Sequence, residues 1–382
     1  LASADAVGIV AVVVTSRDGR LRVALVFGGR SPEHAISCIS AGSVWEALDP
    51  DRYDVLPVGI TLHGRWVLVP DDPNALALSG RELPAVDPGG ATVALSADPT
   101  RPGLVSLTTG VPDPGPVDVV FPVLHGPYGE DGTVQGLLEL ADLPYVGSGV
   151  LASAAVMDKE CTKLLLGAHG LRVAPYTVVS ARGWWADRDG CLAATRGLGL
   201  PLFVKPARGG SSIGISKVMD WAQLAAAIET ALACDPKVLV EVGVAGREVE
   251  CGVLAVLGGD RAQASVPAEV RVTGGQEFYD FEAKYLDEAT SFDVPADLPG
   301  EVTAAVRATA VQAFEALGCE GLARVDFFVE PDGGLVINEL NTMPGFTPAS
   351  MFPRMWAATG LEYPALVDRL VAVALERGTG LR

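Results

Sequence analysis

Arg324, Asp326, Glu339 and Asn341 sit in two apolar runs that flank Asp332-Gly333 in the segment ARVDFFVEPDGGLVINELN. Asp-Gly between such runs predicts a tight hairpin. A two-residue turn there places Asp326 opposite Glu339, Arg324 opposite Asn341 and Phe328 opposite Ile337. Carboxylates opposed across a hairpin repel by up to about 1 kcal/mol, and a cation between them reverses that sign. Carboxylate and amide oxygens with no His or Cys alongside suit a hard ion that also holds phosphate oxygens, for which Mg²⁺ is the natural choice. The alternative is a solvated hairpin face with accidental acids, against which the apolar Phe328–Ile337 end of the face argues.

A second group is VKPARGGSSIGI, with Lys205 at a strand end and Ser211 and Ser212 after two glycines. Glycines let backbone N–H groups approach an anion, and the hydroxyls and ammonium add donors and charge. The segment is not a G-x-x-x-x-G-K-[ST] loop, so it reads either as a phosphate cradle of another kind or as a mobile glycine loop. Downstream, Glu241 and Glu248 are placed to accept from ribose hydroxyls, or are surface acids. Lys159 in the MDK stretch either neutralises phosphate or extends to solvent. FGGRSPEH and VLHGPYGEDGT both follow apolar strands, and ligands of open α/β sheets bind at strand ends. Glu33 there suits a substrate ammonium, or else a helix N-terminus; His125 suits a substrate carboxylate, or else a turn.

These groups need a scaffold. The β-branched run 22–27, a helix over 33–48 and a strand over 53–60 make a βαβ opening. Residues 70–116, rich in Pro, Gly and Asp, predict long loops or short antiparallel excursions before a strand at 117–122. A single helical stretch is expected from Val150 to Leu166, then strands at 202–205 and 238–241, a break at 243–246 and a strand at 248–257. A polar excursion over 273–298, a helix over 301–317, the hairpin and a last helix over 363–377 complete the chain. An apolar run from Val7 to Val14 is too short to span a bilayer and lacks a basic flank, so an extra N-terminal strand is expected rather than a signal peptide.

With 28 basic and 47 acidic residues the chain carries a formal charge of -19, which opposes extended contact with nucleic acid or an anionic membrane. Anionic substrates must then be met by local cations. Lysine occurs only at positions 159, 163, 205, 217, 237 and 284, so a lysine inside a polar motif is informative. The six cysteines show no C-x-x-C pairing, which fits reduced, buried thiols.

Taken in order and spacing, GGRSPEH, HGPYGEDGT, MDK, VKPARGGSSIGI, EAKYLDE, ARVDFF and INELNTMPGFTPASMFP resemble the D-alanine–D-alanine ligase family of the ATP-grasp superfamily, over about residues 22–375. The resemblance implies an α/β protein: an extension (1–20), a Rossmann-like substrate domain (21–147) and a two-lobed ATP-grasp domain (148–382, lobes 148–241 and 242–382). It implies a cytoplasmic, homodimeric ligase that joins two D-alanines through a D-alanyl phosphate for peptidoglycan synthesis, hence cell-wall biogenesis and cell shape, without nucleic-acid or membrane partners. ATP would be the co-substrate, with two Mg²⁺ ions, or Mn²⁺, held by Asp326, Glu339 and Asn341. Lys159, Lys205, Ser211, Ser212, Glu241, Glu248 and Lys284 would line the ATP pocket. Glu33 would take the first ammonium, His125 would lie near the reacting end, and Ser350 with Met351 would receive the second carboxylate. Arg324 and the Gly345 N–H would stabilise the oxyanion. Lys284 and Tyr285 would lie on a closing loop, Tyr285 completing a hydrogen-bonded chain with Ser211 and Glu33 and favouring dipeptide over the ester made by D-alanine–D-lactate ligases. A nucleotide-binding module without catalysis is the reading from another class, which the full set of polar residues opposes. Two positions depart from the family: Ala35, where many relatives carry an acid, and Gly243, where an aromatic often flanks adenine.

Overall fold

A computed structural model describes residues 19–76, 83–259, 261–272 and 290–380. The expected N-terminal strand, Lys284 and Tyr285 lie outside the described residues. The near-continuous apolar run after Arg22 becomes β1 (Leu21–Gly28), buried from Val23 onward, as a strand covered on both faces must be. It is followed by α1 (His34–Ala47), β2 (Tyr53–Ile60), β3 (Trp66–Leu68), the antiparallel pair β4 (Val93–Leu95) and β5 (Leu104–Ser106), β6 (Val119–Val123) and α2 (Thr133–Leu140). The first sheet runs β3-β2-β1-β6, with β2 and β6 parallel to β1 and β3 antiparallel. The Glu33 and His125 loops therefore leave the same sheet edge, at the C-terminal ends of β1 and β6.

Where one helix is expected from Val150 to Leu166 there are two, α3 (Val150–Met157) and α4 (Lys159–Ala168). Asp158 is the cause. Its backbone is extended and its carboxylate accepts the N–H groups of Glu160 and Cys161 at 3.1 and 3.2 Å, a helix N-cap that restarts the chain in a new direction. Lys159 thereby becomes the first residue of α4.

The second sheet is antiparallel, β7-β10-β8-β9, from β7 (Tyr176–Ser180), β8 (Leu202–Pro206), β9 (Ser216–Val218) and β10 (Lys237–Val242). Helices α5 (Ala181–Ala186), α6 (Arg188–Arg196) and α7 (Trp221–Leu232) accompany it, and its core joins Val204 and Val240 to Leu224 and Ile228. The third sheet runs β14-β13-β11-β15-β16, with β12 on β11: β11 (Arg247–Leu254), β12 (Gln263–Ala264), β13 (Ala268–Val272), β14 (Thr290–Asp293), β15 (Leu322–Val329) and β16 (Leu335–Asn341). Helix α8 (Gly300–Ala316) covers one face of this sheet through Val306, Ala310 and Phe314.

The last helices, α9 (Met351–Ala358) and α10 (Tyr363–Arg377), return to the beginning of the chain. Leu366, Val367, Leu370 and Val371 of α10 share one core with Val23, Leu25, Phe27 and Phe121 of the first sheet. Arg377 donates to the carbonyl of Tyr145 at 2.6 Å. The first and third sheets are thus held together, and the space between them is bounded on the other side by the second. All six cysteines are free; Cys38, Cys251 and Cys319 are buried as expected, whereas Cys234 is exposed. No helix among the described residues is long and apolar enough to cross a membrane.

Candidate active site

The hairpin carries the first part of the site, by a different route from the one its Asp-Gly pair predicts. The turn is a three-residue loop, Pro331 to Gly333, closed by the N–H of Glu330 on the carbonyl of Gly334 at 2.8 Å, with Gly333 at φ +86°. A bulge follows between Asp326 and Phe327, so Phe328 faces Val336, and Ile337 faces Phe327. The extra residue in β16 is Asn338. The loop and the bulge compensate, and the functional end keeps its register: Asp326 pairs with Glu339 and Arg324 with Asn341. The bulge also turns Asn338 toward the same cavity as Glu339 and Asn341, where strict alternation would have turned it away.

Arg324 organises this end. Its guanidinium forks Asp326 with two hydrogen bonds of 2.7 Å and lies 3.3 Å from Glu250, the residue paired with Asp326 across β11 and β15. Burial pulls the Arg324 pKa down, but Asp326 and Glu250 outweigh it and leave it well above the ordinary value. Asn341 Nδ2 donates to Asp326 at 3.2 Å, and Glu339 lies 3.4 Å from Lys159 Nζ. Asp326, Glu339 and Asn341 supply only oxygen donors for a metal, a set that fits a hard divalent cation. Glu250 and Asn338 were not picked out in the sequence; the alternation of Glu248 and Glu250 along β11 was the available signal for the former.

The glycine–serine loop faces this hairpin. Ser211 and Ser212 are both in the left-handed region, at φ 51° and 58°, a strained pair that presents their hydroxyls into the cavity. Ser211 Oγ donates to Glu33 at 2.5 Å, the bond that the resemblance implied. Glu33 is wedged there: a Cβ on Gly126 would lie 2.6 Å from its carboxylate, and one on Gly210 would lie 2.9 Å away. Lys159 Nζ donates to the Gly209 carbonyl at 2.9 Å, which ties α4 to the same loop.

Lys205 and Glu241 lie behind the Asn338 part of the wall. Lys205 Nζ donates to Asn338 Oδ1 at 3.2 Å and pairs with one Glu241 oxygen; Lys163 Nζ pairs with the other at 2.8 Å. Burial opposes the charged form of Glu241, but the two ammonium groups win and hold its pKa at about 2. The Glu241 side chain is therefore already engaged by two lysines rather than pointing out as a free acceptor. Glu248 adds to the negative potential at Lys205 without lining the main cavity. A Cβ at Gly243 would come within 3.1 Å of Phe203 and 3.2 Å of Pro201, so that position has little room for an aromatic side chain.

His125 is buried and internally satisfied. Its Nδ1–H donates to the Met343 carbonyl at 2.9 Å, which leaves Nε2 to accept from Ser40 Oγ at 3.3 Å, and burial lowers its pKa, so the ring is neutral. Glu130, from the same motif, accepts from the N–H groups of Gly126 at 2.6 Å and Met343 at 3.0 Å. Burial, reinforced by Glu33, pushes its pKa up to about 8. Both residues pin the segment after β16, so that Gly345, Ser350 and Met351 reach the cavity, with Ser350 at the N-terminus of α9. Ser350 Oγ meets Thr347 Oγ1 at 2.8 Å and accepts from the Thr347 N–H at 3.1 Å.

One cavity of about 470 Å³ collects these groups; Glu33, His125, Lys159, Ser211, Ser212, Arg324, Glu339, Asn341, Gly345, Ser350 and Met351 all line it. Asp326 stands beside it through Arg324 and Asn341. The cavity thus brings together a carboxylate, a lysine, a hydroxyl-bearing loop, an arginine, oxygen donors and a helix N-terminus.

Comparison with known proteins identifies the family. The family model described as D-ala D-ala ligase N-terminus matches residues 22–148, and the model for the D-ala D-ala ligase C-terminus matches residues 165–372. The chain is 60% identical to the D-alanine–D-alanine ligase of Frankia casuarinae, over 95% of this chain and 98% of that one. It is 58% identical to the enzyme of the same name from Mycobacterium tuberculosis, over 96% and 98%. Among solved structures, the VanG D-Ala:D-Ser ligase of Enterococcus faecalis superposes with a TM-score of 0.81 at 34% identity, covering 93% of this chain and 99% of that one. The D-alanine–D-alanine ligase of Coxiella burnetii gives 0.76 at 34%, covering 94% of each. With both halves of the family matched along nearly its whole length, this chain belongs to the D-ala D-ala ligase family.

Proposed function

We propose that this chain joins two molecules of D-alanine at the expense of ATP, forming D-alanyl-D-alanine, ADP and phosphate. One observation carries the reading: the Glu33 carboxylate, the glycine–serine loop with Lys159 beside it, and the oxygen-donor hairpin with Arg324 meet in one cavity. Amide formation from a free carboxylate is uphill and needs a leaving group. In the first step a carboxylate oxygen of D-alanine attacks the γ-phosphorus of ATP, and ADP leaves. In the second, the amine of another D-alanine attacks the acyl carbon and phosphate leaves from the tetrahedral intermediate.

Each residue has a part in that sequence. Glu33, held by Ser211, takes the first ammonium. Lys159 and Lys205 neutralise phosphate, Ser211 and Ser212 cradle it, and Glu248 serves the nucleoside side. Phosphoryl transfer is mainly positioning and charge neutralisation. Asp326, Glu339 and Asn341 would hold Mg²⁺, which when bound neutralises phosphate oxygens. Arg324 and the Gly345 N–H meet the developing oxyanion, where preorganised donors lower the barrier. Ser350, Met351 and the α9 N-terminus receive the second carboxylate. Neutral His125 orders the Met343–Gly345 segment.

We further propose the domain division 21–147, 148–241 and 242–382, a homodimer, and a cytoplasmic place in peptidoglycan precursor synthesis. The test is substrate choice. With ATP, Mg²⁺ and D-alanine, ADP release is expected to require D-alanine and to ignore L-alanine. With excess D-lactate between pH 6 and 8, dipeptide is expected to predominate. Predominant depsipeptide would overturn the substrate assignment, and ADP release indifferent to D-alanine would overturn the ligase.

A further inference from the structure

Two lysines share one buried carboxylate behind the cavity wall. Glu241, on the central strand β10, is 5% exposed; Lys163 of α4 is 2% exposed and Lys205 of β8 is 11% exposed. Each Glu241 oxygen takes one ammonium, Lys163 at 2.8 Å and Lys205 at shorter range. Of the two, only Lys205 also reaches a cavity-lining side chain, Asn338 at 3.2 Å. Lys163 does not line the cavity, and its Nζ lies 5.9 Å from the centre of the Tyr176 ring.

A buried ion pair that loses one partner leaves an uncompensated charge, which is strongly destabilising. If Glu241 were paired with Lys205 alone, moving that lysine to a phosphate would strand the glutamate. With Lys163 in place, Glu241 stays neutralised whichever way Lys205 points. We infer that Lys163 is a positioning residue for nucleotide binding: it holds Glu241 so that Lys205 is free to serve the phosphates. Helix geometry supports the pairing of roles, because Lys159 and Lys163 are one turn apart on α4. Lys159 addresses the cavity directly, and Lys163 acts on it through Glu241 and Lys205. The inference rests on the ATP reading proposed above.

The experiment compares steady-state constants of the full-length chain with those of Lys163→Met and of Lys163→Met combined with Glu241→Gln. In Lys163→Met, Glu241 retains Lys205, so the KM for ATP is expected to rise at least roughly tenfold, the size of one charge-assisted hydrogen bond. The KM for D-alanine is expected to stay near that of the unaltered chain. Removing the Glu241 charge as well releases Lys205, so the double variant is expected to recover most of the ATP affinity. A merely structural role gives the opposite order, because the double variant has then lost two buried groups instead of one. An unshifted ATP KM in Lys163→Met, or a double variant no better than the single one, would overturn the inference. Should Lys163→Met not fold, the double variant carries the test: near-normal ATP KM supports the inference, and weak ATP use contradicts it. An unaltered chain without D-alanine-dependent ATP turnover would instead sink the ligase reading itself, so the two failures are distinct.

Discussion

Ser211 Oγ and the Glu33 carboxylate meet at 2.5 Å across 178 residues of sequence, joining the glycine–serine loop to the first sheet. Glu33 also fills the space that a side chain on Gly126 or Gly210 would need. A carboxylate so placed is available to a ligand ammonium only if its charge is intact. Glu33→Gln keeps size and part of the hydrogen bonding, so D-alanine use is expected to fall by about tenfold or more, for a lost charge-assisted bond of about 1.5–3 kcal/mol. ATP affinity is expected to change little. Unaltered D-alanine kinetics, with only thermal stability shifted, would make Glu33 a helix-terminal acid instead.

The two hairpin acids are expected to differ in stability although both are needed for metal-dependent turnover. Asp326 is forked by buried Arg324, and Glu339 has Lys159 at 3.4 Å. Asp326→Asn removes the carboxylate charge and one of the two oxygens that the fork holds, and is expected to lower stability by about 1–3 kcal/mol. Glu339→Gln relieves the repulsion between opposed acids, about 1 kcal/mol at most, and is expected to be neutral or slightly stabilising. Denaturant unfolding without metal measures the first difference, and a Mg²⁺ titration of turnover measures the second. Near-normal activity of either variant would contradict the metal assignment.

Glu130 and Glu241 give opposite pH dependences. Burial raises Glu130 from 4.5 to about 8, so between those values the folded chain binds more protons than the unfolded chain, and its contribution to stability falls as pH rises. Glu130→Gln is therefore expected to gain stability relative to the unaltered chain between pH 5 and pH 8. The lysines lower Glu241 from 4.5 to about 2, so its contribution is present above 4.5 and is lost as pH falls toward 2. The deficit of Glu241→Gln is expected to shrink over that lower window. Thermal melts across pH 3 to 8 check both signs.

Asp158 restarts the helix that brings Lys159 to the loop, and it also holds Lys237 at 2.6 Å. Asp158→Ala is expected to cost about 1–2 kcal/mol, the range of a lost N-cap. Because α4 then loses its fixed start, the KM for ATP is expected to rise more than that for D-alanine. Equal shifts in both would assign Asp158 to stability alone.

The chain's pattern shows the first sheet well, because β1 and α1 carry continuous apolar and helical runs that local rules capture. The Asp326–Glu339 register was also legible, although the two-residue turn that predicted it is absent: a longer loop and the Asn338 bulge cancel. Such a bulge has no strong local signature, and Asn338 was missed for that reason. The α3–α4 break was marked only by Asp158, which reads as helix interior unless its capping role is weighed. Lys163 was visible as a rare lysine, yet its partner Glu241 is 78 residues away and only the packing of α4 on the second sheet brings them together. Return of α10 to the first sheet is likewise a matter of topology, since an amphipathic helix does not say which sheet it will cover.

The most direct measurement of the central claim follows oxygen from D-alanine labelled with ¹⁸O in its carboxylate, incubated with ATP and Mg²⁺. Activation as an acyl phosphate is expected to place one labelled oxygen in each phosphate released, with ADP and dipeptide formed in equal amounts. Unlabelled phosphate, label appearing in AMP, or ADP formed without dipeptide would contradict it.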